Sequence, residues 1–236
     1  MKSLQHIITK QVKVIVAFTC LVLSLLSGCT PQFECGCVAP PLTGYEFFYT
    51  FTGKSNVYDV TETQYTLTTN PIVKTYQLKE IAASTFKDTD GKEAIRVERY
   101  RRENDSQNWT IDSVFTARRD TDKALKTENN VTYVKMIFPV KEGLKWDGNL
   151  YNNLGNDAYE MKNVRKPFLD YPITMTVVQQ NDSTLVDLKK RIEVYAEGVG
   201  IIYQEKINVS YCNTGDCLGK GRIDFGTKQV LKIKKI

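Results

Sequence analysis

The sequence predicts an all-β fold built on an antiparallel sheet, with few short helices, behind an N-terminal export signal. Short segments rich in Thr, Val, Ile and Tyr alternate with turn residues along most of the chain, which is typical of strands. The clearest of them, Arg191 to Tyr195, places Ile192 and Val194 on one face and charged side chains on the other. A sheet with one dry and one wet face is typically antiparallel.

The same signals predict nine strands along the chain. The predicted strands are Tyr45–Thr52, Val57–Thr69, Ile95–Tyr100, Trp109–Ala117, Val131–Phe138, Ile173–Gln179, Ile192–Ala196, Ile201–Val209 and Val230–Ile236. Asp88-Thr89-Asp90-Gly91 is interpreted as a hairpin turn, and Gly198-Val199-Gly200 as a tight turn that needs positive φ. Only Lys74–Ser84 and Leu185–Lys190 are predicted to form helical turns.

The first thirty residues have the organisation of an export signal. Lys2, Lys10 and Lys13 precede an apolar run from Val14 to Leu26, and such a basic region, apolar region and small-residue cleavage site are typical of signal peptides. The run is shorter than the roughly 18 to 20 residues that a membrane-spanning helix needs. We therefore predict a signal peptide at 1–28.

The end of this signal resembles the bacterial lipobox. Leu26-Ser27-Gly28-Cys29 matches a motif whose cysteine is lipidated and becomes the new N-terminus after cleavage. The resemblance implies a lipoprotein that is anchored in the cell envelope by acyl chains on Cys29, on the outer membrane, without crossing the bilayer. A Pro-containing tether at 29–43 and a single β-rich domain at 44–236 follow.

Composition limits the function classes that remain open. Removing the signal takes away three lysines and no acidic residue, which lowers the formal net charge from +5 to +2 and argues against a nucleic-acid partner. It also removes His6, the only histidine. Ser-His-Asp and Cys-His catalysis need an imidazole, and catalytic zinc sites almost always include one. We expect no cofactor and no metal.

The segment Val140–Lys162 is rich in Gly, Asn and aromatic residues and is interpreted as a long ordered loop. Trp146, Asn149, Tyr151 and Asn153 are the candidate ligand contacts, and we predict that Trp146 and Tyr151 border the main cavity. The alternative is that Trp146 and Tyr151 plug the end of the fold.

Three acidic residues in or near this loop support a second hypothesis. Asp147, Asp157 and Glu160 could supply the carboxylate pair of a glycan hydrolase. A non-enzymatic binding or structural role is favoured over this alternative, since chance proximity also explains the cluster.

Four cysteines remain beyond Cys29, namely Cys35, Cys37, Cys212 and Cys217. An oxidising compartment and an even number favour disulfides. The leading alternative joins the Cys35/Cys37 segment to the Cys212/Cys217 loop, because it pairs all four thiols without a strained ring. Cys212 and Cys217 also flank a polar turn that could bring them into range of each other. A zinc site of four thiolates is the rival.

Three segments carry a resemblance to a known group of proteins. The chain resembles lipoproteins found widely in Bacteroidota in three segments, which are Phe138-Pro139-Val140, Trp146-Asp147-Gly148-Asn149 and Tyr195 to Tyr203. These motifs identify the group but no reaction. The glycine-containing segment is also similar to elements of the curved-sheet lipoprotein carriers of the Lol pathway. The resemblance implies a half-barrel or barrel-like sheet and a role in the envelope. The expected partner is an envelope protein, a glycan or a hydrophobic ligand.

Two short segments resemble the O-glycosylation sequon of exported Bacteroidota proteins. They are Asp112-Ser113-Val114 and Asp182-Ser183-Thr184. The resemblance makes Ser113 and Ser183 candidate modification sites.

Overall fold

A computed structural model describes residues 43–48 and 51–234. All of these residues belong to one compact unit. The predicted signal peptide, the lipidation site Cys29 and the cysteines Cys35 and Cys37 lie outside the described residues.

The described chain is a short 3-10 helix followed by twelve antiparallel strands in one sheet, so the predicted all-β class is confirmed. Helix η1 spans Tyr45–Phe47. The strands are β1 Ser55–Tyr65, β2 Ile72–Lys87, β3 Glu93–Arg102, β4 Thr110–Arg119, β5 Lys123–Glu128, β6 Val131–Ile137, β7 Lys145–Asp147, β8 Ala158–Phe168, β9 Tyr171–Ser183, β10 Asp187–Ala196, β11 Gly200–Tyr211 and β12 Ile223–Ile233. Within 43–48 and 51–234, no helix is long and apolar enough to cross a membrane.

The sheet runs in the order β6-β5-β4-β3-β2-β1-β12-β11-β10-β9-β8-β7. Nearly every strand is the hairpin partner of its neighbour in sequence, and the first and last strands pair at the centre, with Tyr58 opposite Ile233. Short turns maintain this order. Gly198 and Gly200 both have positive φ between β10 and β11, as predicted, and Gly91 has positive φ in the β2–β3 turn.

The sheet curves until its two edges, β6 and β7, meet in a nearly closed barrel. The Val134 amide donates to the carbonyl of Gly148 at 2.9 Å, and the indole N–H of Trp146 donates to the carbonyl of Val134 at 2.8 Å. The Asn152 amide donates to the carbonyl of Thr132 at 2.9 Å. Gly148 is needed here because a Cβ would lie 2.3 Å from the Tyr159 ring. Closure of this kind removes exposed strand edges.

An apolar cluster fills one end of the barrel. Its fully buried members include Phe47 of η1, Met136, Met161 and Met175. Helix η1 is fixed against this end because the Gly198 amide donates to the carbonyl of Glu46 at 2.8 Å. The prediction of a strand at Tyr45–Thr52 is therefore wrong over its first residues, where the aromatic side chains pack as a plug.

Both predicted helical turns are also wrong. Lys74–Ser84 lies within β2, which hydrogen-bonds to β1 on one side and to β3 on the other. Leu185 lies in a turn, and β10 begins at Asp187. In each segment, pairing with two neighbouring strands outweighs the weak local helix propensity.

The long loop predicted at Val140–Lys162 is shorter in the structure. It contains β7 and the first residues of β8, so the irregular part between these strands is 148–157. Pairing of β7 with β8, with Trp146 opposite Tyr159, gives the segment the secondary structure that composition did not indicate.

The side chains of β10 alternate between two faces, as predicted, but the face that was expected to be exposed to solvent is buried. Val194 is buried, and it packs in a small cluster with Ala196 and Ile202. Glu193 and Tyr195, on the opposite face, are equally buried, at 3% and 1% exposure. The face that the sequence assigned to water therefore points into the barrel.

Candidate functional site

The barrel interior beside the apolar cluster holds a cavity of about 460 Å³. This lies within the range of roughly 300 to 1,000 Å³ that ligand pockets occupy. Its lining differs from most pockets because it is mainly polar. It contains six cationic side chains, four carboxylates, four tyrosines and three glutamines, and the cations are Arg99, Arg101, Lys126, Lys135, Arg191 and Lys206.

Three β-bulges contribute polar side chains to this lining. At each bulge one strand has a residue more than its partner: Asp112 in β4 against β3, Lys135 in β6 against β5, and Gln179 in β9 against β10. All three residues line the cavity. Bulges re-aim side chains and occur frequently next to active sites, so the irregularities of the sheet increase the polar surface inside the barrel.

Glu193 is the centre of the most buried network. It accepts hydrogen bonds from Lys135 at 2.6 Å, from the Tyr195 hydroxyl at 2.6 Å and from Gln204 at 2.8 Å. Burial alone would raise the pKa of Glu193, but the Lys135 charge and these hydrogen bonds lower it to about 2. Burial and the adjacent Glu193 charge raise the pKa of Tyr195. Glu193 is therefore a fixed anion.

A second network surrounds Arg99. Its guanidinium donates to Glu80 at 2.6 and 3.0 Å and to Glu128 at 2.9 Å, and Lys126 also pairs with Glu128 at 2.9 Å. Burial opposes ionisation of Glu128, yet the Lys126 and Arg99 charges lower its pKa to about 2. Lys126 and Arg99 lie over the ring of Phe115, at 3.9 and 5.0 Å. These contacts fix the cations at the boundary between the cavity and the apolar core.

The third network fixes Arg191 on the opposite wall. Its Nη2 donates to both oxygens of Asp157, at 2.7 and 2.9 Å, and its Nε donates to Gln180 at 3.2 Å. Burial raises the pKa of the neighbouring Tyr159, and the Asp157 and Glu193 charges add to this rise. Arg191 is therefore held in place before any ligand enters.

One polar group in this wall has no partner. The Nε2 amide nitrogen of Gln179 is buried and makes no hydrogen bond within the described part of the chain, and the residue is only 6% exposed. Such groups are rare in folded proteins because an unsatisfied buried donor costs about 1 to 3 kcal/mol. Gln179 lines the cavity, so a rotation of its side chain would bring this covered donor to a ligand acceptor.

A smaller and mainly apolar pocket of about 100 Å³ adjoins the polar cavity. Phe47, Ala82 and Phe115 contribute to its lining, and Lys126 and Lys135 separate it from the polar cavity because they line both. It is smaller than the roughly 150 Å³ apolar cavity that accepts one benzene molecule.

The predicted contact residues lie outside the cavity. Trp146 packs against the apolar cluster, and its ring is edge-to-face with the Tyr159 ring at 5.8 Å. Tyr159 lines the cavity and therefore lies between Trp146 and the cavity. Tyr151 is half exposed and lines a separate outer groove with Phe86 and Thr132. The prediction that Trp146 borders the main cavity is wrong, because β7 carries Trp146 along the barrel seam and it lines neither the interior cavity nor the outer groove. Tyr151 borders the outer groove, which has a volume of about 520 Å³, and not the interior cavity.

The two predicted amide contacts differ in their environment. Asn149 is buried, and its side chain donates to the carbonyl of Gly155 at 2.8 Å, so it fixes the loop. Asn153 is exposed. A ligand contact by this loop on the outer surface stays a prediction.

The three candidate hydrolase carboxylates have separate structural partners. Asp147 accepts the backbone amides of Asn149 and Asp157, each at 2.9 Å. Asp157 pairs with Arg191. Glu160 lies 3.2 Å from Lys162 at the surface. Each carboxylate therefore has a local structural role.

Cys212 and Cys217 form a disulfide with each other, with their Cα atoms 5.7 Å apart. The leading alternative, which paired them with Cys35 and Cys37, is therefore wrong. The turn at Thr214, whose carbonyl accepts the Cys217 amide at 3.1 Å, brings the two cysteines into range. A zinc site of four thiolates would need both as free thiolates, so this disulfide excludes it.

The comparisons with known proteins are sparse. No protein-family model matches the chain, and no curated protein matches it significantly. One solved structure is similar, that of a Bacteroides fragilis protein described as exported and as having a YmcC-like fold. Identity is 12%, the match covers 79% of this chain and 99% of that one, and the TM-score is 0.34.

Proposed function

We propose that the β domain is a non-enzymatic binding module of the cell envelope, whose interior cavity binds a polar, hydroxyl-rich ligand of the glycan type. The observation that carries this proposal is the unpartnered Gln179 amide inside a cavity of about 460 Å³. Tyrosine and glutamine side chains beside fixed charges offer both donors and acceptors, which suits a ligand with many hydroxyl groups.

The size of the apolar space argues against a carrier of hydrophobic ligands. An acyl chain is much larger than benzene, and the apolar pocket of about 100 Å³ would not hold it. Placing the chain in the larger cavity would remove water from lining side chains such as Lys206, and burial of polar groups without compensating hydrogen bonds is costly.

The charge states of Glu128 and Glu193 argue against either residue as the acid of a hydrolase. A glycosidase needs one carboxyl group that stays protonated near neutral pH, with a raised pKa. Glu128 and Glu193 instead have pKa values of about 2. Both are fixed anions held by cations, which suits structural support of a binding site.

Gln179→Met tests the proposed site because it removes the amide while keeping a chain of similar length. We expect the free energy of unfolding to rise by about 1 to 2 kcal/mol, since an unsatisfied buried donor is lost. Binding to an array of neutral and uronic-acid oligosaccharides should fall at least about tenfold, because a hydrogen bond to the ligand is lost.

Gln64→Met is the matched control, since Gln64 is exposed and does not line the cavity. Urea unfolding and the array are measured on the full mature protein for both variants. A loss of stability in Gln179→Met with unchanged glycan binding would contradict the proposal.

The envelope location also carries a prediction. We expect the lipobox-like cysteine, Cys29, to carry the acyl chains that anchor the module, because the export signal closes on it. In cells fed a fatty-acid probe, Cys29→Ser should abolish labelling and partitioning into detergent. Cys37→Ser is the control, and its labelling should match that of the wild type. Continued labelling of the Cys29→Ser protein would show that the anchor is elsewhere.

A further inference from the structure

We propose that the glycan bound in the cavity is acidic, and that Lys206 and the Gln179 amide together bind its carboxylate or phosphate group. This inference rests on the proposed function and specifies the ligand class for the same cavity.

The strand register brings the two donors to one wall. Gln180 of β9 pairs with Arg191 of β10, which in turn pairs with Lys206 of β11. The bulge adds Gln179 beside Gln180 on the same side of the sheet, and Gln179, Arg191 and Lys206 all line the cavity. The two donors therefore flank the fixed guanidinium of Arg191.

The charges of the lining leave a cation in excess on this wall. Glu80, Glu128 and Glu193 each have a basic partner, and Arg191 is satisfied by Asp157. Lys206 forms no ion pair or hydrogen bond with the described residues. Arg101 and Arg191 pair with Glu103 and Asp157, which lie outside the lining. The fourth lining carboxylate, Asp112, is exposed. The unpaired positive charge is therefore local to Lys206, and an anionic guest is favoured at that position.

The surroundings of Lys206 agree with this assignment. The side chain is exposed to solvent within the cavity, so a ligand can reach it. Partial burial lowers the pKa of Lys206. The Glu193 and Glu128 charges oppose this lowering, and the Lys135 and Arg99 charges add to it. An anion at this position would relieve the repulsion among these cations.

Gln179 supplies the second, independent observation. Its amide nitrogen is a buried donor that lacks a hydrogen-bond acceptor among the described residues. A carboxylate or phosphate oxygen is a strong acceptor, and hydrogen bonds to charged groups are about twice as strong as those between neutral groups. Lys206 and Gln179 thus supply a charge and a directed donor for one oxyanion.

The test compares acidic sugars with their neutral counterparts, using the full mature protein and calorimetry. The probes are trigalacturonic acid against its methyl ester, and glucose 6-phosphate against glucose, so that carboxylate and phosphate sources are separated. We expect at least one acidic member to bind about tenfold or more tightly than its neutral partner, with affinity falling as salt rises. Lys206→Gln should remove this preference, so that the acidic and neutral partners bind with similar affinity.

Lys228→Gln on the outer face, whose side chain is 43% exposed and 3.8 Å from Glu205, is the control and should bind as the wild type does. Equal binding of acidic and neutral partners would overturn the inference while leaving the proposed function intact. An acid preference that survives Lys206→Gln would also overturn it. Failure of every probe to bind the folded wild-type protein would count against both proposals.

Discussion

Glu193→Gln is expected to lower the free energy of unfolding by about 3 to 5 kcal/mol, because it leaves the Lys135 ammonium buried without its counter-ion. The pair is 2.6 Å apart, and the two side chains are 10% and 4% exposed. Urea unfolding of the wild type and the variant measures the difference. Glu160→Gln, which breaks a more exposed pair with Lys162, should cost under about 1 kcal/mol.

A double replacement separates the pair from the fold. Lys135→Met with Glu193→Met removes both charges, and such exchanges of buried pairs for apolar side chains are often close to neutral. The double variant should therefore be more stable than Glu193→Gln alone. A Glu193→Gln protein as stable as the wild type would contradict the burial of this network.

The same network predicts a pH dependence. The pKa of Glu193 is about 2 in the folded protein and 4.5 in its ordinary state, so the folded state favours the ionised form. The contribution, about 3 kcal/mol, is fully present above pH 4.5 and is lost as the pH falls towards 2. Acid unfolding curves should show this loss in the wild type. In Glu193→Gln the loss between pH 4.5 and 2 should be smaller by that amount.

Trp146→Ala is expected to destabilise the barrel by about 3 kcal/mol, because it removes a side chain packed on the apolar cluster and a hydrogen bond across the seam. Trp146→Phe keeps an aromatic ring and loses the indole N–H, so it should cost about 1 kcal/mol. Thermal melting and glycan binding are measured on both variants. Weakened binding with an unchanged melting temperature would instead assign Trp146 to a ligand site.

Fold class was predictable from sequence because turn residues and β-branched runs repeat along the chain. The errors arise where packing overrides that local signal. Tyr45 to Phe47 resemble a strand by composition, but they form the helix that plugs the barrel. Lys74–Ser84 alternates inward and outward side chains within β2, and only its pairing with β1 and β3 reveals this.

The interior site was not predictable because its inward face is charged. The alternation at Glu193 indicated a solvent-facing position, since charged residues are rarely buried unless paired. Its partner Lys135 is 58 residues away in sequence, so no local pattern connects the two. Gln179 faces the cavity through a bulge, and a bulge shifts register without a sequence signal that period-2 analysis can detect. The aromatic and amide-rich segment Val140–Lys162 instead suggested a ligand site, and this segment lies at the barrel seam.

The most direct measurement of the central claim is the side-chain amide NMR signal of Gln179, assigned by its loss in Gln179→Met. On titration with an oligosaccharide that binds the protein, we predict that this signal shifts in proportion to occupancy and becomes protected from exchange with solvent, because the ligand supplies the missing acceptor. A ligand that saturates the protein while the Gln179 signal stays unchanged would show that binding occurs outside the barrel, and would contradict the account.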